Sequence, residues 1–242
     1  MTYYSEDPLN NNSEDDKLEK NKILSSFFYS GLFVLLLWIV QFTQWAIDKD
    51  ISTYGVLPGK VEGLIGIFTA PLIHADFSHL VSNSVTLFFL LFGIFYFYRT
   101  SVVKIFFIIY IAHGLLVWLF ARQSYHIGAS GLLYGFAGFL FFSGLFRKDK
   151  RSMALSLLIV FLYGGLVWGV LPTDPKISFE SHLSGALVGI ICAFIFRKND
   201  PPQKYDWEEE DYEEDAGDED EPDEEAEAKI DDDAEPEDFR RS

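Results

Sequence analysis

Six long apolar runs, separated by polar or charged connections, form the dominant pattern of this chain. A helix needs about 17–25 residues to cross roughly 30 Å of hydrocarbon, and each run is near that length. Backbone groups in lipid must bond internally, and runs this long exceed the strands of a barrel. The pattern predicts an all-α, polytopic membrane protein, a bundle of six transmembrane helices. These helices are expected at about Ile23–Ile47, His79–Tyr98, Val102–Phe120, Ser130–Phe146, Met153–Val170 and His182–Phe196.

The basic residues predict how this bundle is oriented. The connections between the second and third runs and between the fourth and fifth carry Arg99, Lys104 and the basic cluster Arg147–Arg151. The opposite loops are longer and poorer in Lys and Arg, so the positive-inside rule puts both termini in the cytoplasm. We therefore expect a multi-pass protein of the plasma or inner membrane, with residues 48–75, 121–129 and 171–181 outside.

The formal net charge of −17 comes almost entirely from the C-terminal end of the chain. From Asp206 onward there are 22 acidic and three basic side chains, so the remainder is almost neutral. Such a segment cannot bury a core and predicts a disordered tail. The expected organisation is a polar, loose cytoplasmic N-terminal segment (1–22), a membrane domain (23–198) and a disordered acidic cytoplasmic tail (199–242). The tail is either a solvating appendage or a docking segment for a basic partner.

Two connections and the lone cysteine carry further expectations. The first outer segment, Asp48–Ala75, is too apolar for a solvated linker and is predicted to fold onto the bundle or into the outer leaflet. The connection Leu171–Pro175 is rich in turn formers and is predicted to be a movable cap. Cys192 has no cysteine to pair with and is expected to be a small buried hydrophobe.

Four polar side chains stand near the outer ends of three apolar runs, where lipid makes them costly. Counted from the cytoplasmic boundary at 1.5 Å per residue, Ser130, His182 and Asn83 all lie roughly 23–25 Å deep. His79 stands one turn above Asn83 on the same face. A serine hydroxyl needs a neighbouring base, and an oxyanion needs donors. The set predicts acyl transfer with Ser130 as nucleophile, His182 as base, and His79 and Asn83 as oxyanion donors.

Small residues and one aromatic ring support this set. Gly128 and Gly131 flank the serine and allow unusual dihedral angles and close backbone approach. Tyr134, one turn along the same face, is positioned to stack on the catalytic histidine. Gly185 and Gly189 form a small-residue face that lets the fourth and sixth helices approach closely enough for a hydroxyl–imidazole hydrogen bond.

The remaining polar residues receive structural interpretations. Asp76 and Glu180 lie near the motif histidines, but neither is arranged beside its histidine on a helix, which favours a Ser–His dyad over a triad. His74 is expected to be a structural anchor, His113 a satisfied core histidine and His126 a loop residue. His74 and His79 are five residues apart, which does not suit a zinc site. We expect no metal and no cofactor.

These motifs resemble those of the rhomboid family of intramembrane serine proteases. Gly128-Ala129-Ser130-Gly131 with a distant histidine is a motif pair of that family, and residues 74–83 and 182–189 resemble its signatures on the second and sixth helices. The resemblance covers about residues 23–198 and assigns the same roles to the nucleophile, base, oxyanion donors and stacking tyrosine. It implies cleavage of transmembrane or juxtamembrane segments. One departure is that residues 48–75 lack the Trp-Arg pair common in the family.

Two other functions are open to such a bundle. A catalytically inactive relative that binds membrane clients would lack the serine or the histidine, and both are present here. A transporter or channel would carry polar residues across the full membrane depth, whereas these stop near one level. The partners expected for the leading interpretation are membrane-protein substrates and the lipid bilayer, with no nucleic acid.

Overall fold

The computed structural model of the chain describes residues 8–148, 150–172 and 177–200, and helices dominate this part. No β-strand forms within it; one isolated β-bridge joins Val56 to His126. The α-helices are α1 (Pro8–Ile47), α2 (Gly66–Thr69), α3 (Phe77–Phe97), α4 (Val102–Phe120), α5 (Ser130–Arg147), α6 (Lys150–Tyr163) and α7 (Phe179–Ile195). Short 3₁₀ segments cover Ser52–Tyr54, Val61–Ile65, Ala70–Leu72 and Gly164–Val170.

The predicted all-α membrane fold is confirmed. In the described part of the chain, five helical stretches are long and apolar enough to cross a bilayer; the last combines most of α6 with the 3₁₀ segment after it. The sixth predicted run corresponds to α7, which has 17 residues and is shorter than a typical span. A count of six spans therefore stays a prediction.

The N-terminal segment differs from the expectation of a loose lead-in. Helix α1 begins at Pro8, well before the predicted start at Ile23, and continues without a break into the apolar run. Glu, Lys and Leu in this stretch are good helix formers. Lys22 also lies 3.6 Å from the Glu19 carboxylate one turn earlier, and Tyr96 of α3 donates a hydrogen bond to Glu19. These contacts support the helix before its apolar run. Residues 1–7 lie outside the described residues.

The fifth run also departs from the predicted continuous helix. Helix α6 ends at Tyr163, and Gly164–Val170 winds as a 3₁₀ helix. Two consecutive glycines, Gly164 and Gly165, favour this change, because glycine disfavours a helix interior by about 1 kcal/mol.

Helix α5 is the centre of the bundle and packs most closely against α7. A Cβ atom at Gly185 would overlap the carbonyl oxygen of Gly131, and one at Gly189 would overlap that of Gly135. The predicted close approach through small residues of the last helix is thus confirmed. The two backbones touch along two turns.

The first outer segment folds onto the bundle, as predicted. Val56, Ile67 and Ile73 are buried, and Gly114 of α4 leaves room for the Ile67 backbone, whose Cα would lie 3.2 Å from a Cβ at that glycine. Cys192 is fully buried, as expected of a small hydrophobe. Residues 173–176 of the predicted cap and residues 201–242 of the acidic tail lie outside the described residues.

The glycine contact between α5 and α7 predicts a position-specific cost of a methyl group. Gly189→Ala should lower the free energy of unfolding by about 1–3 kcal/mol, because the added Cβ meets the Gly135 carbonyl. Gly165→Ala is the matched control, since nothing lies within 4 Å of its Cβ position. Thermal unfolding of the detergent-solubilised variants measures both. Equal stability of the two variants would contradict the close contact.

Candidate active site

Ser130 is the first residue of α5, and the loop before it is tightly constrained. Gly128 has φ of +105°, a conformation that favours glycine. A Cβ at Gly128 would also lie only 2.7 Å from Cε1 of His79. The loop is therefore pressed against the His79 ring, and the positive end of the α5 dipole is directed to the serine.

His182 approaches Ser130 from the second turn of α7. Its Nε2 lies 2.9 Å from the Ser130 hydroxyl oxygen. Ser178 caps α7 by accepting a hydrogen bond from the Ser181 backbone N–H, which fixes the start of this helix. His182 is 8% exposed, so the imidazole is largely removed from water. The close helix contact at Gly185, one turn on, makes this short distance possible.

The other ring nitrogen of His182 defines its tautomer. Nδ1 lies 2.8 Å from the backbone carbonyl oxygen of Gly169, in the 3₁₀ segment. A carbonyl only accepts, so Nδ1 must carry the proton and donate it. Nε2 then presents its lone pair to the Ser130 hydroxyl, which donates to it. This is the protonation state that a general base requires before attack.

Gly169 is a site residue that sequence reasoning missed. Its backbone carbonyl, rather than a side chain, contacts the histidine. A Cβ at Gly169 would overlap the Tyr134 hydroxyl and lie 3.1 Å from Nδ1 of His182. The one signal in the sequence is the presence of three glycines within Gly164–Val170, which could be read only as a break in the helix.

Tyr134 covers one face of the His182 ring. The two rings are stacked, with centroids 4.1 Å apart and planes 8° from parallel. Tyr134 lies one turn after Ser130 on α5, the position expected from the sequence. The Gly169 carbonyl therefore fixes the rotation of the imidazole ring, and the stacked Tyr134 ring packs against its face.

The two nearby carboxylates have other partners. Asp76 caps α3, where its side chain accepts the backbone N–H of His79 at 2.8 Å. Glu180 lies 3.6 Å from the Arg122 guanidinium. Among the described residues, the hydrogen bonds to His182 come from Ser130 and Gly169, and no carboxylate contributes. Within the described residues, Ser130 and His182 thus form a pair without a carboxylate partner.

Asn83 and His79 lie along one face of α3. Asn83 is 5% exposed, and its amide nitrogen has no hydrogen-bond partner among the described residues. A buried donor without a partner costs about 1–3 kcal/mol. An unpartnered amide in this position is suited to donate a hydrogen bond to a ligand. His79, on the same face, contacts the loop directly before the serine.

His74 holds the serine loop from behind. Its Nε2 accepts the Ala129 N–H at 3.4 Å, and its ring lies edge-to-face with that of His79, with centroids 5.1 Å apart. Burial, with a smaller contribution from the neighbouring His79, lowers the pKa of His74 to about 4. His74 therefore stays neutral near pH 7, as acceptance at Nε2 requires. These contacts agree with the expected anchoring role.

The other two histidines also serve the framework. His113 of α4 lies 3.1 Å from the Tyr110 carbonyl and packs against Gly131, as expected of a core histidine. His126 is in a loop, as expected, but is 4% exposed and bonds the Ser178 hydroxyl at 2.6 Å. Burial lowers the pKa of His126. This contact ties the loop before α5 to the first residues of α7.

Fold and site together define a polytopic helical membrane protein with a buried serine–histidine pair at one end of the bundle. A model of the Rhomboid domain matches residues 61–199, more than half of the chain. The chain belongs to the rhomboid family, a family of intramembrane proteases. Members of this family act on membrane-protein substrates in the bilayer.

Individual relatives share this region with the chain. Uncharacterized proteins of Mycobacterium tuberculosis and Mycobacterium bovis are each 34% identical over 172 residues, which is 67% of this chain and 72% of theirs. A Bacillus subtilis protein named "Putative rhomboid protease YdcA" is 28% identical over 136 residues, 53% of this chain and 65% of its own.

The lowered pKa of His74 predicts how stability depends on pH. The folded protein holds this pKa at about 4, below the ordinary value of 6.5, so only the unfolded chain takes up a proton between these values. The contribution is complete above pH 6.5 and is lost as the pH falls toward 4, by about 3 kcal/mol at 1.36 kcal/mol per unit.

His74→Gln keeps an acceptor for the Ala129 N–H but removes this titration. Unfolding midpoints measured from pH 7.5 to 4.5 should therefore fall less steeply in the variant than in the wild type. The difference between the two slopes isolates His74 from other buried histidines such as His126. Identical slopes would show that His74 titrates normally in the folded protein.

Proposed function

We propose that this protein is an intramembrane serine endopeptidase with a Ser–His dyad, in which Ser130 is the nucleophile and His182 the general base. The observation that carries the proposal is the 2.9 Å contact between Ser130 Oγ and His182 Nε2. The Gly169 carbonyl on Nδ1 supports it, because this contact selects the basic tautomer.

The chemistry follows from these contacts. Ser130 attacks the scissile carbonyl carbon while its proton passes to Nε2 of His182. His182 then gives that proton to the leaving amine, and an acyl-enzyme on Ser130 remains. Water, deprotonated by the same nitrogen, hydrolyses this ester. The Gly169 carbonyl stabilises the imidazolium in both halves of the reaction, where a triad would use a carboxylate.

The oxyanion needs donors on the side of the serine away from the histidine. We assign this role to the Ser130 backbone N–H at the start of α5 and to the side chains of Asn83 and His79. The unpartnered amide of Asn83 supports the assignment. Gly128 and Gly131 allow the close approach, and Tyr134 orients the base.

The substrates we propose are transmembrane or juxtamembrane segments of other membrane proteins. A helix hides its carbonyls in internal hydrogen bonds, so the scissile segment must unwind near the outer surface, where water is available. In the proposed orientation, both termini lie on the cytoplasmic side of a plasma or inner membrane. The proposed catalytic domain is residues 23–198, and the partner proposed for the acidic tail, 199–242, is a basic one, in accord with the charge of the tail.

The dyad predicts that either residue alone is indispensable. Ser130→Ala and His182→Ala should each abolish cleavage of a model transmembrane substrate, and the double variant should be no worse than either single one. A fluorophosphonate probe should label the wild type at Ser130. Ser143→Ala is the matched control, because Ser143 is a buried serine on the same helix, far from the site.

Two results would contradict the dyad. Cleavage by purified Ser130→Ala protein would exclude the serine mechanism. A folded wild type that neither cleaves nor reacts with the probe, yet retains membrane clients, would favour the inactive, client-binding alternative.

The oxyanion assignment predicts an effect on turnover rather than on substrate binding. Asn83→Ala and His79→Ala should each lower kcat by about 10²–10³, the usual cost of one oxyanion donor, with little change in KM. Michaelis parameters and thermal stability should be measured on the same preparations. A variant that melts early but keeps the wild-type kcat would show that the residue only joins helices.

A further inference from the structure

A groove of about 790 Å³ lies between α1, α3 and α4, away from the serine–histidine pair. Its walls are aromatic. Tyr29 of α1 stacks on Phe95 of α3 with centroids 5.4 Å apart, and Phe33 of α1 meets Phe106 of α4 edge-to-face at 5.3 Å. Helix α1 packs mainly against α3. The gap toward α4 is thus an open apolar channel on the bundle surface.

The groove extends over about half of the membrane thickness. On α1 it is lined from Ser25 to Leu36, a rise of about 16 Å at 1.5 Å per residue. The hydrocarbon core is roughly 30 Å thick, so the channel spans one leaflet. It lies at the end of the bundle opposite Ser130. Arg147 is at the end of α5 far from that serine. Its guanidinium lies 4.6 Å from the ring of Tyr98, the residue before Arg99, so Arg99 is at the same end of the bundle.

One cation stands at the mouth of this groove. Of the described residues that line it, Arg99 alone is charged. The Asp200 carboxylate accepts the N–H of the neighbouring Thr100 at 2.7 Å and the Thr100 hydroxyl at 2.6 Å, and forms no ion pair with Arg99. Arg99 is exposed and has no ion pair or hydrogen bond with the described residues.

We propose that this groove is a binding site for an anionic phospholipid of the cytoplasmic leaflet. An acyl chain lies along the aromatic walls, and the phosphodiester meets the Arg99 guanidinium. Arginine binds phosphate oxygens through two parallel N–H donors, which makes it suited to this contact. The proposal is independent of the proteolytic activity proposed above.

The shape of the groove favours a lipid over a protein helix. A partner helix crosses the whole membrane and needs a contact surface along about 20 residues. This channel ends after one leaflet and is polar at one end only, which is the pattern of an amphiphile with one headgroup. The charge of its single cation selects a headgroup with a net negative charge.

The test is native mass spectrometry of the full-length protein after delipidation. Phosphatidylglycerol and phosphatidylcholine with identical acyl chains are added back separately. The wild type should retain one phosphatidylglycerol in preference to phosphatidylcholine. Arg99→Gln should weaken retention of phosphatidylglycerol about fivefold, the effect of one basic residue near an anionic surface, and should leave phosphatidylcholine unchanged. Arg99→Lys should keep most of the preference.

Two matched controls separate this site from general surface charge and from lipid contact. Lys198→Gln removes an exposed positive charge outside the groove and should not change retention. Val103→Trp fills the groove and should reduce binding, whereas Leu115→Trp, on the lipid-facing side of the same helix, should not.

Three outcomes would overturn the proposal. The first is equal retention of phosphatidylglycerol by the wild type and Arg99→Gln. The second is equal retention of both lipids by the wild type. The third is a lipid-free dimer that Val103→Trp converts to a monomer, which would identify a second copy of the chain as the occupant of the groove.

Discussion

The glycine contact between α5 and α7 is the constraint on which the site depends. Helices usually pack with axes 8–10 Å apart, set by their side chains. Here Gly131 and Gly185 let the backbones touch, and this approach allows a short serine side chain to reach an imidazole on the neighbouring helix. Lipid gives no hydrophobic force between helices, so close packing must itself supply the attraction. The close packing of the two helices and the contact between Ser130 and His182 thus depend on the same glycines.

The second requirement is an orienting partner for His182 that lipid tolerates. A buried carboxylate beside the imidazole would carry a desolvation cost of several kcal/mol in this environment. A backbone carbonyl cannot ionise, yet it accepts the Nδ1 proton equally specifically. The Gly169 carbonyl lies in the last turn of the 3₁₀ segment, where helix carbonyls have no partner within the helix, so it is free to accept the His182 proton. The end of the fifth run therefore orients the histidine proposed as the base, through the Gly169 carbonyl.

The sequence predicted the helical membrane fold, the approach of Ser130 to His182, and the Tyr134 stack, because each follows from helix length or helix periodicity. It could not predict the Gly169 contact, since a carbonyl has no residue type to reveal it. The sequence suggested that His74 is an anchor but not which group it contacts, because the Ala129 N–H that it accepts belongs to a loop far along the chain. The helical start of α1 was missed because apolar length marks the membrane boundary and says nothing about where a helix begins.

The two ends of the bundle face different physical demands. At the end that holds Ser130, polar groups stay in fixed positions because the loops are tied by buried contacts such as that of His126 with Ser178. At the other end, the Asp200 carboxylate accepts two hydrogen bonds from Thr100 and its backbone carbonyl accepts one from Arg147, whereas Arg99 has no ion pair with the described residues. A cation at the membrane surface that the protein does not neutralise is attracted to the negative headgroups of the cytoplasmic leaflet. The lipid site proposed above thus lies beside the contacts that hold this end of the bundle together.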